Sequence, residues 1–284
     1  MFGIPKKEKE ICFISGLPRS GSTLLSAILK QNSDFYTSIS DPLLNYVNSI
    51  IHNTASDPSI KTIVNDEKLD DLLHDLIKSY YKECNESVIF NTNRHWTNHT
   101  HLLKRLFPNY KMIVCLRDIP WVIDSVERLH RRNTYSITPM VGAACKNVYE
   151  RAHWMMGNHS DNSANGFIVE PLFGIKNALA SSETDNLLFL DYDALVKYPQ
   201  ETIKRVYAFL KKDCFNHDFD NVSVNHTEYD EALNCEGLHK VRAKVEYKDR
   251  VPIIPQDLWN LYMPETVWKF DHTVLNDKQC IFAN

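Results

Sequence analysis

With 284 residues, 43% hydrophobic and 24% charged, the chain has the composition of a globular protein, and no linker-like run interrupts it, so one domain over 1–284 is expected. A net charge of −4 excludes the broad basic footprint of a nucleic-acid binder, so any anion must be met by local groups such as Arg128, Arg131 and Arg132. The charged start, MFGIPKKEKE, reads as neither signal peptide nor membrane span, and seven scattered cysteines without a CxxC pair suit reduced thiols in a cytoplasm.

In chain order, ICFIS (11–15) is a short apolar run ended by a turn, which suits a buried strand. Leu24, Leu25, Ile28 and Leu29 then share one helical face. Residues 66–83 carry the clearest amphipathic pattern, with Leu69, Leu72, Leu73, Leu76, Ile77 and Tyr80 expected in the core. SVIF (87–90) reads as a strand and 100–107 as a helix. KMIVCL (111–116) is a strand apolar on both faces, as in a parallel sheet. Helices are expected over about 120–132, 138–158 and 170–180, then a strand at 186–190 and a helix near 199–211. Residues 215–284 are less regular. This alternation predicts an α/β fold: a P-loop-like, doubly wound parallel β-sheet flanked by helices.

In such sheets ligands sit beyond the carboxyl ends of the strands. There lies Gly16-Leu17-Pro18-Arg19-Ser20-Gly21-Ser22-Thr23, which keeps the glycine frame of the nucleotide-binding loop GxxxxGK[ST] with Ser22 in the lysine position. Between strand and helix, its backbone N–H groups and the helix dipole face one anion. Ser20, Ser22 and Thr23 add hydroxyls, and Arg19 adds a charged fork. The plain alternative is a Gly-containing turn with surface serines. Without the lysine a nucleoside triphosphate is disfavoured. No strand ends in a clear metal-holding acid either, because Asp118 follows 111–116 with Arg117 directly before it. A metal-free phosphate site built on arginines follows from these residues.

FISGLPRSGSTLLSAILKQN resembles the 5′-phosphosulfate-binding loop of the sulfotransferase superfamily, in the branch of protein-tyrosine sulfotransferases and many bacterial sulfotransferases. RLFPNYKMIVCLRDIPWVIDS (105–125) resembles the same family's 3′-phosphate segment, a strand ending in Arg-Asp with a serine eight residues after the arginine. Here these are Arg117 and Ser125, with Arg128 one turn further. LDYDALVKYPQETIKRVYAFL (190–210), which places Tyr192, and GLHKVRAKVE (237–246) resemble later family segments, as does FNTNRHWT (90–97). The likeness covers about residues 10–250 in patches.

The resemblance implies the cofactor 3′-phosphoadenosine 5′-phosphosulfate (PAPS), the product adenosine 3′,5′-bisphosphate, and metal-free transfer of a sulfuryl group to a hydroxyl or amine. It places Pro18, Arg19, Ser20, Gly21, Ser22, Thr23, Arg117, Ser125, Arg128 and Tyr192 on the nucleotide, with His239, Lys240 and Arg242 from the late basic segment. Where protein-tyrosine sulfotransferases carry a glutamate base, this chain has Asp41, offset by one residue. His95 and His99 compete for the role by analogy with small-molecule sulfotransferases. Arg94 is the nearest cation to the family's missing lysine and is expected at the sulfuryl group. Trp96 could stack on adenine or an acceptor, or pack in the core. The acceptor, a small molecule, saccharide or peptide, should be read by about 43–65, 133–165 and the tail. Their aromatics, including Tyr135, Tyr149, Trp154, Tyr247, Trp259 and Tyr262, are expected mainly in the core. A degenerate kinase predicts dependence on ATP and magnesium, and a non-catalytic nucleotide binder predicts binding without turnover.

Overall fold

The near-continuous apolar runs become strands because both of their faces are covered. In the computed structural model, which describes residues 9–135, 139–142, 145–157, 166–224 and 227–283, the strands are β1 (Glu10–Gly16), β2 (Phe35–Thr37), β3 (Val88–Thr92), β4 (Lys111–Leu116), β5 (Leu187–Asp191) and β6 (Gln279–Ile281). All are parallel, in the order β2-β3-β1-β4-β5-β6. The period of two sorts their side chains. Phe13, Ile89, Met112, Val114 and Phe189 enter one core, while Cys12, Ile14, Phe90, Ile113 and Leu190 enter the other.

The helices are α1 (Ser22–Leu29), α2 (Leu43–Ser56), α3 (Pro58–Lys61), α4 (Asp66–Tyr80), α5 (Thr100–Leu106), α6 (Ile119–Arg132), α7 (Val148–Met155), α8 (Val169–Ala180), α9 (Tyr192–Lys197), α10 (Pro199–Leu210), α11 (Thr227–Ala232), α12 (Gln256–Tyr262) and α13 (Val267–Phe270). α1, α9 and α10 cover one face. The other face is covered mainly by α2, α4, α5, α6 and α8.

The expected doubly wound parallel sheet is present, with differences at its margins. The amphipathic helix stops at Tyr80, and only Leu73 and Ile77 of its stripe are fully buried, while Leu72 and Tyr80 are exposed. The single helix expected over 138–158 is a 3-10 turn at Pro139–Val141 followed by α7. Gly142, at φ 49, holds a left-handed backbone that ends the first piece. Residues 136–138, 143–144 and 158 of that expectation lie outside the described residues. Two short strands, β2 and β6, were not legible, and α2 occupies part of the segment assigned to acceptor recognition. Of the tail and loop aromatics, Tyr262 is buried, whereas Tyr135, Tyr149 and Tyr247 are exposed. Among the described residues no helix is long and apolar enough to cross a membrane.

Candidate active site

The chain leaves β1 toward β3 and β2, and leaves β4 toward β5 and β6. The crevice between β1 and β4 is therefore the switch point of the sheet, where such folds bind ligands. Gly16 pairs with Cys115 in register, so the loop after β1 and Arg117 after β4 start at nearly the same height. A side chain at Gly16 would strike the Cys115 carbonyl at 2.2 Å, and this close approach makes glycine necessary there.

Within the loop, Arg19 is left-handed (φ 60) and Gly21 has φ 96. A left-handed non-glycine residue costs about 1–2 kcal/mol. It is held here by Arg117, whose guanidinium donates to the Arg19 carbonyl at 2.9 Å. The Arg19 side chain donates through Nε to Ser125 Oγ at 3.2 Å and also to the Leu238 carbonyl. Pro18, Gly21, Ser22 and Thr23 line the cleft. Ser20 does not: its hydroxyl donates to the Leu17 carbonyl at 2.6 Å inside the loop, so it closes the turn and supplies no side-chain donor to the cleft.

Arg117 packs its guanidinium over the Tyr192 ring at 4.2 Å, and Tyr192 also limits any side chain at Gly21 to 2.8 Å. Burial, with Arg250 and Arg19 adding repulsion, holds Arg117 at about 10, below its ordinary value. Its Nε is buried without a partner, as is one terminal nitrogen of Arg250, a residue that sequence reading did not single out. Arg250 stacks on Trp121 at 4.9 Å, and Arg117, Arg242 and Arg250 line one small hollow beside the cleft. A buried guanidinium nitrogen without an acceptor is costly, and two such residues line this one hollow.

Of the cluster Arg128, Arg131 and Arg132, the last lines the cleft and the first two are paired with acids. Arg128 pairs with Asp124 at 2.8 Å and Arg131 with Glu127 at 2.8 Å, both one turn apart on α6. Arg128 still reaches the cleft wall, but its charge is already balanced. Asp118 is held by Lys269 at 2.7 Å.

Asp41 is buried at the start of α2. One carboxylate oxygen accepts from the Leu43 amide at 2.9 Å and the other from the Tyr81 hydroxyl at 2.9 Å. Arg94 lies over Phe167 at 4.4 Å and donates to His95 Nε2 at 3.0 Å, and both Arg94 and His95 line the cleft. Burial, then Arg94 and His99, hold His95 at about 4, so its ring is neutral at physiological pH. Trp96 is wholly buried, donates to Asn91 at 2.6 Å and meets Phe13 edge-on at 4.8 Å, so it is a core residue and stacks on no ligand.

The late basic segment closes the other side of a cleft of about 1260 Å³. Lys240 and Arg242 are exposed on its rim. His239 turns inward. Its Nδ1 lies 2.6 Å from Asp230 and its Nε2 lies 3.2 Å from the Ser40 hydroxyl. Asp230 carried no sequence signal, because nothing in its spacing from His239 marks a pair.

Comparison with known proteins bears on the family and the fold. A model of the sulfotransferase family matches residues 12–216. No curated protein matches the chain. Among solved structures, the chain is similar to the sulfotransferase domain from the curacin biosynthetic pathway (16% identity, TM-score 0.51, 95% of this chain and 96% of that one covered). It is similar to a sulfotransferase from Alicyclobacillus acidocaldarius (12%, 0.55, 94% and 96%) and to the sulfotransferase domain of the Synechococcus PCC 7002 olefin synthase (16%, 0.50, 94% and 98%). At these identities the structural likenesses show the fold.

Proposed function

Because the chain belongs to the sulfotransferase family, we propose that it transfers the sulfuryl group of PAPS to a hydroxyl or amine of an acceptor, in line and without a metal. The observation that carries this reading is the anion site of the switch point, where Arg117 and Arg250 present buried nitrogens with no acceptor beside Arg19 and Ser125. These residues fit a nucleotide with two separated phosphate positions. The loop Gly16–Thr23 would hold the 5′ end, and Arg117, Ser125 and Arg250 the 3′-phosphate.

When bound, PAPS supplies an activated sulfuryl group on a phosphate leaving group. The chain's own contribution is positioning and charge. Loop N–H groups and the Arg19 guanidinium stabilise negative charge at the 5′ end. Arg94, half-buried after β3, lines the cleft and offers a cation there. Ser22 stands in the lysine position and Lys269 occupies Asp118, so two of the groups a magnesium–triphosphate site uses are replaced or engaged, while Thr23 and Asp191 at the end of β5 keep their places.

The acceptor's proton requires a base. Asp41, His95 and His239 are of the right type and reach the cleft wall. Asp41 and His95 are tied into the fold, Asp41 through both oxygens and His95 through the lone pair that accepts from Arg94. The acceptor class is taken as a small molecule, saccharide or peptide.

Calorimetric titration with adenosine 3′,5′-bisphosphate, with and without EDTA and beside ATP–magnesium, tests the reading. Tight binding that EDTA does not change, with weak ATP binding, is the expected result. Binding of ATP–magnesium alone would overturn it in favour of a kinase.

A further inference from the structure

Resting on that reading, the geometry points to His239 as the base that takes the acceptor's proton, with Asp230 as the residue that positions it. Three observations converge. First, Asp230 grips His239 at two points: Oδ1 lies 2.6 Å from the ring Nδ1, and Oδ2 accepts from the His239 amide at 2.9 Å. Both side chains are nearly enclosed, at 10% exposure for His239 and 7% for Asp230. An acid that binds both ring and backbone fixes the rotamer and the tautomer, so Nδ1 carries the proton and Nε2 carries the lone pair.

Second, that lone pair is met by a hydroxyl. Ser40 Oγ lies 3.2 Å from Nε2, and both residues line the cleft. A hydroxyl is therefore accommodated at the place where a base would receive one from an acceptor. Ser40 sits at φ 52, a left-handed conformation uncommon outside glycine and associated with functional sites.

Third, the pair is tied to the phosphate loop. Arg19 donates to the carbonyl of Leu238, the residue before His239, so the segment that carries the base is anchored on the guanidinium expected at the leaving group. Among the described residues, Asp230 favours protonation of the ring, and Arg19 and Arg94 oppose it. Burial is the largest influence and holds His239 below its ordinary value, so the ring is neutral and able to accept at physiological pH.

The step balances. The acceptor oxygen forms its bond to sulfur as the bond from sulfur to the bridging oxygen breaks. The electron pair of that bond stays on the leaving phosphate, beside Arg19. The acceptor's proton passes to His239 Nε2. Asp230 stays ionised and supports the resulting imidazolium.

The test uses the full chain and begins without any acceptor. Long-range 15N–1H spectra of the imidazoles at pH 7.5, with His239 assigned by the signal lost in His239→Gln, should show a proton on Nδ1 and none on Nε2. In Asp230→Asn the tautomer should invert. A protonated ring, or a proton on Nε2 in the unaltered protein, overturns the proposal. Calorimetry separates it from the nucleotide reading. His239→Gln should hold adenosine 3′,5′-bisphosphate within about twofold of the unaltered protein, since an unselective phosphate contact is not its role. A tenfold loss would make His239 a nucleotide contact and refute the assignment. Failure of the unaltered protein to bind the bisphosphate would instead sink the nucleotide reading, with the tautomer result standing by itself. With PAPS as donor, His239→Gln should lower transfer to benzyl alcohol by about 10²- to 10⁴-fold, and far less to p-nitrophenol, which is ionised without help. Equal losses on both would indicate a structural role and overturn the proposal.

Discussion

Arg117→Met separates a binding role from a structural one, because the structure predicts opposite consequences for the two. Arg117 is a buried guanidinium held at about 10, well below its ordinary value. At about 1.4 kcal/mol per pH unit, keeping it ionised costs the fold on the order of 3 kcal/mol. Against this stand the bond to the Arg19 carbonyl and the Tyr192 face, together about 2–4 kcal/mol. Methionine fills much of the same volume without the charge, so the two effects nearly cancel and Tm should stay within about 5 °C of the unaltered protein. Binding has no such cancellation. A charge-assisted hydrogen bond to phosphate contributes about 1.5–3 kcal/mol, so affinity for adenosine 3′,5′-bisphosphate should fall about 10- to 150-fold. Affinity for adenosine 5′-phosphosulfate, which lacks the 3′-phosphate, should fall less. Thermal unfolding and calorimetry on one preparation read both quantities. A Tm that collapses while bisphosphate affinity is unchanged would refute the reasoning and make Arg117 a packing residue.

Gly21→Ala should lower both stability and nucleotide affinity, since φ 96 disfavours any side chain and the added carbon would meet Tyr192 at 2.8 Å; a loss of about 1–3 kcal/mol in denaturant unfolding is expected. Asp41→Asn should cost about 1–3 kcal/mol of stability, through weaker bonds to the Leu43 amide and the Tyr81 hydroxyl, with bisphosphate affinity kept; intact stability with lost transfer would return Asp41 to the role of base. Glu127→Gln breaks a buried network in which Arg151 and Arg131 each lie 2.8 Å away and should cost about 3–5 kcal/mol at pH 7. Burial opposes ionisation of Glu127, but the two arginines outweigh it and depress its pKa. The carboxylate's contribution is therefore present above the ordinary glutamate range and lost as pH falls through the depressed value, so the gap between the two proteins should close in acid. A gap independent of pH would show that the network is not electrostatic.

Much of the scaffold and half of the site were legible in the residues alone. β1, β3, β4 and β5 could be read because their side chains are apolar on both faces, and a parallel sheet covered on both sides demands that pattern. β2 and β6 could not, because three residues at a sheet edge carry too little periodicity to register. The loop was legible for a local reason: Gly16 and Gly21 sit where backbone approach and positive φ require glycine, and Arg19 and Arg117 follow strand ends.

The sequence by itself therefore determined the four longer strands, their parallel winding and the cations nearest their ends, since these depend on composition at neighbouring positions. Tertiary structure decided which polar groups are available. It paired Arg128 and Arg131 with acids on their own helix, turned Ser20 inward, placed Trp96 in the core and set Arg250 in one hollow with Arg117. It also brought Asp230, His239 and Ser40 together across nearly 200 residues. Hydrogen bonding and desolvation depend on distances through space, and no spacing along the chain encodes them.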